Sequence, residues 1–423
     1  MHNLSQKIHE HKILRVGYAA PGWPLKNFPN GIVTYVQNIL IGLDTNIKPI
    51  ILAGTLIGAE VKDQLIDLNK LNKNKNLFQK FIYTFLYRTN LSVAKSILYN
   101  KMSHDNALKL YQAMQALQVP LDILEIEESF GTANSLMKLN KVPIVTRIHG
   151  PWFVMASIMK AETNWDYNCR LFNEGQAIVN AHGVTAPSLD ILEKVRQFYG
   201  IALPNAKVIH NPVATVPIEN LWTLNADKKP SILFVGRFDL IKGGDLILDA
   251  FRHIALKHQE VELLFVGPDN GVYKDGETLM FKEYIERFIP EPSIKKRIQF
   301  FGQCDSLVIA QLRKQSLITI LCSRYEVFSI SLIEALAAGC PAIATAVGGI
   351  KEIIINEYNG LLAEPESAIS IAEKVLGLMA NPEKMQKLSK NAIEDCKKRF
   401  APEVIAAQTV DYYRTILANQ AAK

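Results

Sequence analysis

The chain alternates between short apolar runs and longer stretches with helical spacing. Residues 13–18, Ile-Leu-Arg-Val-Gly-Tyr, form the first strong strand signal. A loop rich in Pro and Gly follows over residues 21–31, then a helical pattern with apolar Ile32, Val33, Val36, Ile39 and Leu40. Strand, glycine-containing loop and helix are the opening of an α/β unit. Further apolar runs lie at 49–53, 121–126, 143–148 and 183–187, most of them separated by helical patterns. Over residues 201–230 the texture changes. Pro204, Pro212, Pro217 and Pro230 fall in one polar, loosely periodic stretch that reads as a linker. The alternation then restarts, with strand candidates at 231–235, 261–266, 298–301, 317–321 and 341–345. The pattern predicts two parallel-sheet α/β halves of about 200 residues each, facing each other across a cleft. A final helical pattern over 402–418 could belong to either half.

Composition narrows the class. Of 423 residues, 48% are hydrophobic and 21% charged, which excludes global disorder and a collagen-like or coiled-coil chain. The five cysteines (Cys169, Cys304, Cys322, Cys340, Cys396) show no C-x-x-C spacing, so neither a disulfide framework nor a zinc site is expected. A reducing compartment is the default. The first twelve residues lack an apolar signal core, and the longest apolar stretch, 332–350, is broken by Glu334, Gly339 and Pro341. The expectation is a cytoplasmic protein with no membrane span. The net charge of +6 is uneven: residues 62–109 hold nine basic and three acidic side chains, so the remainder is formally neutral. That asymmetry requires an explanation of its own.

Three clusters carry chemistry. The densest runs from Ser323 to Pro341 and contains Glu326, Phe328, Ser329, Ser331 and Glu334. It follows an apolar strand and opens a helix, whose first N–H groups suit a phosphate. Carboxylates beside it can accept hydrogen bonds from sugar or ribose hydroxyls. Equally, Ser331-x-x-Glu334 reads as a capping box. The second cluster, Gly236-Arg237 with Lys242-Gly243, again follows a strand. It reads as a pair of cations for a nucleotide diphosphate, or as a surface turn with two solvated charges. The third is His149 in Val-Thr-Arg-Ile-His-Gly-Pro, at the end of an apparent strand; it faces the cleft or is a satisfied structural histidine. His210, at the linker, leaves the same two readings open.

Taken together and in order, these segments resemble the family 4 retaining glycosyltransferases of the GT-B fold. Glu326 and Glu334 match the family's Glu-x7-Glu motif, and Gly236, Arg237, Lys242 and Gly243 match its phosphate clamp. Phe301-Gly302, Gly348-Gly349, Asn359-Gly-Leu-Leu and the segment 208–213 match further family segments. The resemblance implies two Rossmann-like domains: an acceptor-binding domain over 1–205, a linker over 206–229, a nucleotide-sugar-binding domain over 230–398, and a C-terminal helix over 399–423 that packs back on the first domain. It implies that Arg237 and Lys242 bind the donor diphosphate, with Gly236, Gly302, Phe328 and Ser329 in the donor site. Glu334 would hold the ribose, Glu326 the donor sugar, and His149 would stand near the transferred sugar and the acceptor. Asn30 and Gly31 would form the loop that approaches the phosphates and acceptor, and neither a metal nor a resident cofactor is implied. The implied activity is retaining transfer of a sugar to a hydroxyl of a glycan or lipid-linked acceptor. The rivals are a nucleotide-sugar epimerase and a catalytically silent binding protein of the same fold.

Three departures from the family pattern stand out. Asn30-Gly31 replaces paired glycines, and left-handed geometry at Asn30 would preserve the turn. Val327-Phe328-Ser329 replaces Gly-Phe-Gly, and Glu125, Glu127 and Glu128 stand where histidines are common. The charge excess also falls on a distinct segment. Over residues 69–88, Phe78, Phe81, Ile82, Phe85 and Leu86 recur at helical spacing, with Lys73, Lys75, Lys80 and Arg88 interleaved or flanking. This is either a helix docking on an anionic membrane surface or one packed on its own domain. No nucleic-acid-binding motif accompanies the charge, so nucleic acid is not an expected partner.

Overall fold

The computed structural model describes residues 13–58, 64–70, 92–159, 163–225 and 230–422. Most of the basic aromatic segment, residues 71–88, lies outside these described residues.

The first half builds one parallel sheet from β1 (Leu14–Ala20), β2 (Ile47–Ala53), β3 (Leu65–Asp67), β4 (Ile123–Glu127), β5 (Ile144–Arg147), β6 (Gly183–Ala186) and β7 (Ala206–Val208). Their order is β3-β2-β1-β4-β5-β6-β7. The second half builds another from β8 (Ser231–Val235), β9 (Glu262–Val266), β12 (Ile298–Gly302), β13 (Ile318–Leu321), β14 (Ala342–Thr345) and β15 (Leu361–Ala363), in the order β12-β9-β8-β13-β14-β15. A small antiparallel hairpin, β10 (Val272–Lys274) and β11 (Glu277–Leu279), is inserted after β9. The inner strands are buried on both faces, which is why they read as apolar runs rather than alternating ones.

Each sheet reverses direction once: between β1 and β4 in the first, and between β8 and β13 in the second. At such a switch point the loops leaving the carboxyl ends diverge to opposite faces and open a crevice for ligands. Asn30 and Gly31 follow β1, and Glu128 follows β4. Lys242 follows β8, and Glu326 follows β13.

The structure moves one boundary. The segment from 206 begins as β7, which pairs with β6 and so still belongs to the first sheet; the crossing proper starts after Val208. The chain crosses back near Phe400, whose carbonyl accepts a hydrogen bond from Val213 N–H (2.9 Å). The helix Pro402–Ala421 then lies on the first domain. Ile405, Val410, Tyr413 and Ile416 join Leu14, Val16, Tyr35 and Ile39 in one buried cluster. Tyr413 Oη donates to Glu125 (2.8 Å), and Tyr412 Oη accepts from Val184 N–H (2.8 Å). The Rossmann-like halves are therefore joined by two strands of chain.

Candidate active site at the interdomain cleft

In the second half the switch point brings the two predicted clusters into direct contact. Lys242 Nζ lies 2.6 Å from Glu326 Oε1, which also accepts from Ser323 Oγ (2.8 Å). The Glu326 side chain is only 8% exposed. Gly243 makes this approach possible. Its φ is +70°, and a Cβ there would stand 2.1 Å from the carbonyl oxygen of Cys322, at the root of the Glu326 loop. Among the described residues, Arg237, on the same loop as Lys242, is bonded only through Nε, to Asp239 (2.5 Å). Asp239 also accepts from Lys242 N–H (2.8 Å), which fixes the turn between the two cations. Arg237 keeps its terminal nitrogens available and its side chain 43% exposed.

The helix Ile330–Ala337 begins one residue after Ser329, its N-cap. The capping-box reading of Ser331 therefore does not hold. Ser331 lies inside the first turn, and its Oγ is buried without a hydrogen-bond partner among the described residues. The first N–H groups of the helix, free of a side-chain cap, and this hydroxyl stand together at the helix start. Glu334 is on the next turn, 38% exposed, and held by Arg313 Nη2 (3.3 Å) from the helix Ser306–Gln315. Arg313 is almost fully buried; as one more basic residue in an amphipathic helix, it gave no signal in the sequence. Gly236 continues β8, its N–H bonded to Val266 O (2.9 Å). Gly302 ends the edge strand β12 with φ +64° and open space where a Cβ would be.

Phe328 and His210 take a different part. The Phe328 ring stacks on His210 (centroids 5.2 Å apart) and meets Phe400 edge-on (5.7 Å). Its side chain is thus engaged by the two chain crossings, which leaves only its backbone for a ligand. His210 Nδ1 lies 2.8 Å from Pro187 O and donates to it in the Nδ1–H tautomer, so its structural reading holds. The loop around Glu326 is also tied to the first half. Ser188 Oγ donates to Val327 O (2.7 Å), and Tyr325 Oη donates to Asp190 (2.8 Å). Glu352 accepts from the N–H groups of Leu189 (2.9 Å) and Asp190 (3.0 Å) at the start of the helix Leu189–Tyr199.

In the first half, Asn30 departs from the expectation. Its φ is −153°, extended rather than left-handed, and its Oδ1 caps the helix Gly31–Gly42 by accepting from Ile32 N–H (2.8 Å). Gly31 is exposed, and a Cβ added there would meet no atom within 4 Å. His149 stands just beyond β5, its ring edge-on to Tyr35 (5.4 Å). Crowding by protein, then the nearby Arg147 cation, holds its imidazole well below the ordinary histidine range, so it is neutral at pH 7, although part of the residue still reaches the surface. Arg147 is fully buried over the Tyr35 ring (3.9 Å) and bonds Ile209 O (3.0 Å) and Asn211 Oδ1 (2.8 Å), so it ties β5 to the crossing. Glu127, His149, Tyr35 and Ile32 line one small recess at the carboxyl ends of the strands. Burial pushes the Glu127 carboxyl up to about 7. The two half-sites adjoin: Ile148, Tyr325 and Val327, the immediate neighbours of His149 and Glu326, share one buried cluster.

A larger open groove near Ser231, Glu262 and Gln299 lies at the amino ends of β8, β9 and β12 and contains none of these groups. Among the described residues, no set of three His, Cys, Asp or Glu is grouped to hold a metal ion, and no helix is long and apolar enough to cross a membrane.

Residues 220–395 match the family model described as Glycosyl transferases group 1. An uncharacterized glycosyltransferase of Methanocaldococcus jannaschii is 28% identical over 188 residues, 44% of this chain and 45% of that protein. The chain thus spans about half the length of this relative. The N-acetyl-alpha-D-glucosaminyl L-malate synthase of Bacillus anthracis is 23% identical over 380 residues, 86% of this chain and 93% of that one. Among solved structures, a sucrose-phosphate synthase from Thermosynechococcus elongatus superposes with a TM-score of 0.70 at 19% identity, covering 96% of this chain and 100% of the other. The architecture is the GT-B fold: two Rossmann-like domains about a cleft.

Proposed function

From the match of residues 220–395 to the group 1 glycosyltransferases we propose that the chain is a retaining glycosyltransferase acting on a nucleotide diphosphate sugar. The observation that carries this reading is the 2.6 Å contact between Lys242 and Glu326 at the switch point of the second sheet. It joins the cation cluster to the acidic motif where a ligand belongs in a doubly wound fold.

The donor lies on the second half. Arg237 and Lys242 take the diphosphate together with the helix start at Ser329–Ser331, and these groups stabilise the charge that grows on the leaving phosphate. Glu334, fixed by Arg313, accepts from the ribose hydroxyls. Glu326, already ordered by Lys242 and Ser323, contacts the donor sugar. The acceptor enters from the first half, past Gly31, toward the recess shared by His149 and Glu127. A neutral His149 offers one N–H and one lone pair to sugar hydroxyls without adding a charge. With Glu326 engaged by Lys242, attack on the same face as the departing phosphate, which accepts the acceptor's proton, fits better than a double displacement. The phosphate charge is met by protein cations, so turnover is expected to survive EDTA.

A donor panel that reads release of UDP, GDP or ADP, with and without lipid extract, tests this reading. Release that requires an acceptor is expected. No turnover and no binding of any donor would overturn the reading, and release of free nucleotide without a transfer product would point to an epimerase.

The acceptor is proposed to be a glycan or lipid-linked molecule at an anionic membrane surface. The charge excess of residues 62–109 supports this. So do Trp165 (68% exposed) and Phe172 (65%), with Val93 and Ile97, on two helices that touch through Asn100 and Cys169. Pelleting with anionic liposomes should weaken both in a Lys73→Glu, Lys75→Glu, Lys80→Glu protein and in a Trp165→Ser, Phe172→Ser protein. Unchanged pelleting in both, or none in the wild type, would refute it.

A further inference from the structure

The three carboxylates that stand where histidines are common in the family have separate fates, and one of them controls the loop that carries His149. β5 pairs with β6 through Ile148, whose N–H reaches Thr185 O (2.8 Å). Beyond that point the backbone leaves the sheet, and its next donors have no ladder partner. Buried donors must be satisfied somewhere. His149 N–H is taken by Glu128 Oε2 (2.9 Å) and Gly150 N–H by Glu128 Oε1 (2.7 Å). Pro151 has no N–H. Trp152 N–H is taken by Glu174 Oε2 (2.8 Å). Glu128 and Glu174 therefore account for every N–H between Ile148 and the next helical turn.

Glu128 is fully buried, and the turn that aims it is strained. Phe130, two residues on, has φ +58°, a left-handed conformation that costs a side-chain-bearing residue about 1–2 kcal/mol. Packing holds it there. The Phe130 ring stacks on Tyr99 (5.7 Å) and lies under the Arg170 guanidinium (4.6 Å), which also lies over Trp152 (4.1 Å). Arg170 Nε is bonded to the second Glu174 oxygen (2.8 Å). The turns after β4 and β5 are thus locked to each other, and strain of this kind clusters at functional sites.

We propose that Glu128 is the positioning residue for His149: by taking both N–H groups of residues 149 and 150, it sets where the imidazole stands on the acceptor side of the cleft. This rests on the reading of His149 as a site residue. Glu128 touches no substrate itself. A carboxyl group is suited to the task because each of its oxygens can accept a hydrogen bond, even when one of them carries a proton, whereas an amide presents one oxygen and one NH2 group.

Hydrogen exchange tests the geometry independently of turnover. In the wild type the 149 and 150 amides, although outside any strand, should exchange at least tenfold more slowly than an open loop; fast exchange overturns the proposal with no variant needed. In Glu128→Gln, exchange at 149–150 should rise about tenfold while the strand amides 144–148 stay protected. With any donor that the wild type turns over, kcat should fall tenfold or more while nucleotide affinity on the second domain stays within twofold. Glu128→Asp, which keeps the carboxyl group but shortens the reach, should fall between the two. Faster exchange or a lower melting temperature with kcat unchanged would show a structural clamp only and overturn the positioning role. Absence of turnover in the wild type would instead count against the glycosyltransferase reading and leave the exchange result to decide the geometry.

Discussion

At the scale of single residues, the candidate site consists of charges that complete one another. Lys242 and Glu326 are the clearest case. The carboxylate is nearly buried, and the ammonium is partly open to water. Replacing Lys242 with Met leaves Glu326 with Ser323 as its remaining partner. An unsatisfied buried acceptor costs about 1–3 kcal/mol, and water reaching the Lys242 position puts this one at the low end. A loss of about 1–2 kcal/mol by denaturant titration is expected, with kcat/KM down on the order of 10²-fold if the lysine also holds leaving-group charge. An unchanged kcat/KM would remove Lys242 from the site. Both residues were legible in the sequence because each sits in a short motif after an apolar strand. Arg313 and Glu128 were not: the first looks like a solvated helix charge, and the second is one acid among three neighbours. Asn30 was placed in the right loop with the wrong backbone, because its side chain gains more as a helix cap than by tolerating positive φ.

At the scale of elements, the strands were readable because parallel strands buried on both faces need continuous apolar runs. The exceptions are the three-residue strands β3, β7, β10, β11 and β15, which are too short to display such a run. What the pattern could not show is how closely the loops at the carboxyl ends approach. Two glycines separate conformation from contact. Gly243 and Gly302 both have positive φ, +70° and +64°. A methyl group on Gly302 meets open space, whereas one on Gly243 strikes the Cys322 carbonyl at 2.1 Å. Gly302→Ala should therefore cost only the left-handed strain, about 1–2 kcal/mol. Gly243→Ala should cost clearly more, because backbone must move, and should also separate Lys242 from Glu326 and depress kcat/KM. Equal losses in the two variants, measured by chemical denaturation, would mean that the loop relaxes freely and that its close approach is not what assembles the site.

At the scale of the whole molecule, the sequence showed two halves and a linker but not how they meet. The ties between Ser188 and Val327, Asp190 and Tyr325, and Leu189 and Glu352 join residues more than a hundred positions apart, and although Tyr325 and Val327 lie in the motif after β13, nothing in that motif points to their partners. The basic excess of the first half has a counterpart inside it, since buried acids cluster there. Burial, reinforced by neighbouring carboxylates, pushes Glu127 up to about 7 and Glu128 up to about 8. The folded protein therefore keeps protons that the unfolded chain has already lost, and it loses stability as pH rises from the ordinary carboxylate range toward about 8. His149 and His210 act in the opposite sense, because burial holds them neutral; their contribution is lost as pH falls through and below the ordinary histidine value. Above about pH 6.5 the unfolded chain's histidines are mostly neutral as well, and the carboxyl effect dominates. Between about pH 6.5 and 8 the melting temperature should fall, with a slope of up to about 1.4 kcal/mol per pH unit for each proton retained. Glu127→Gln removes the group that titrates near 7, so the slope over the lower part of that window should flatten while the decline near pH 8 persists. A wild-type melting temperature that is flat or rises across this window would mean that these acids are ionised in the folded state, and their burial would then have to be offset by partners other than those seen here.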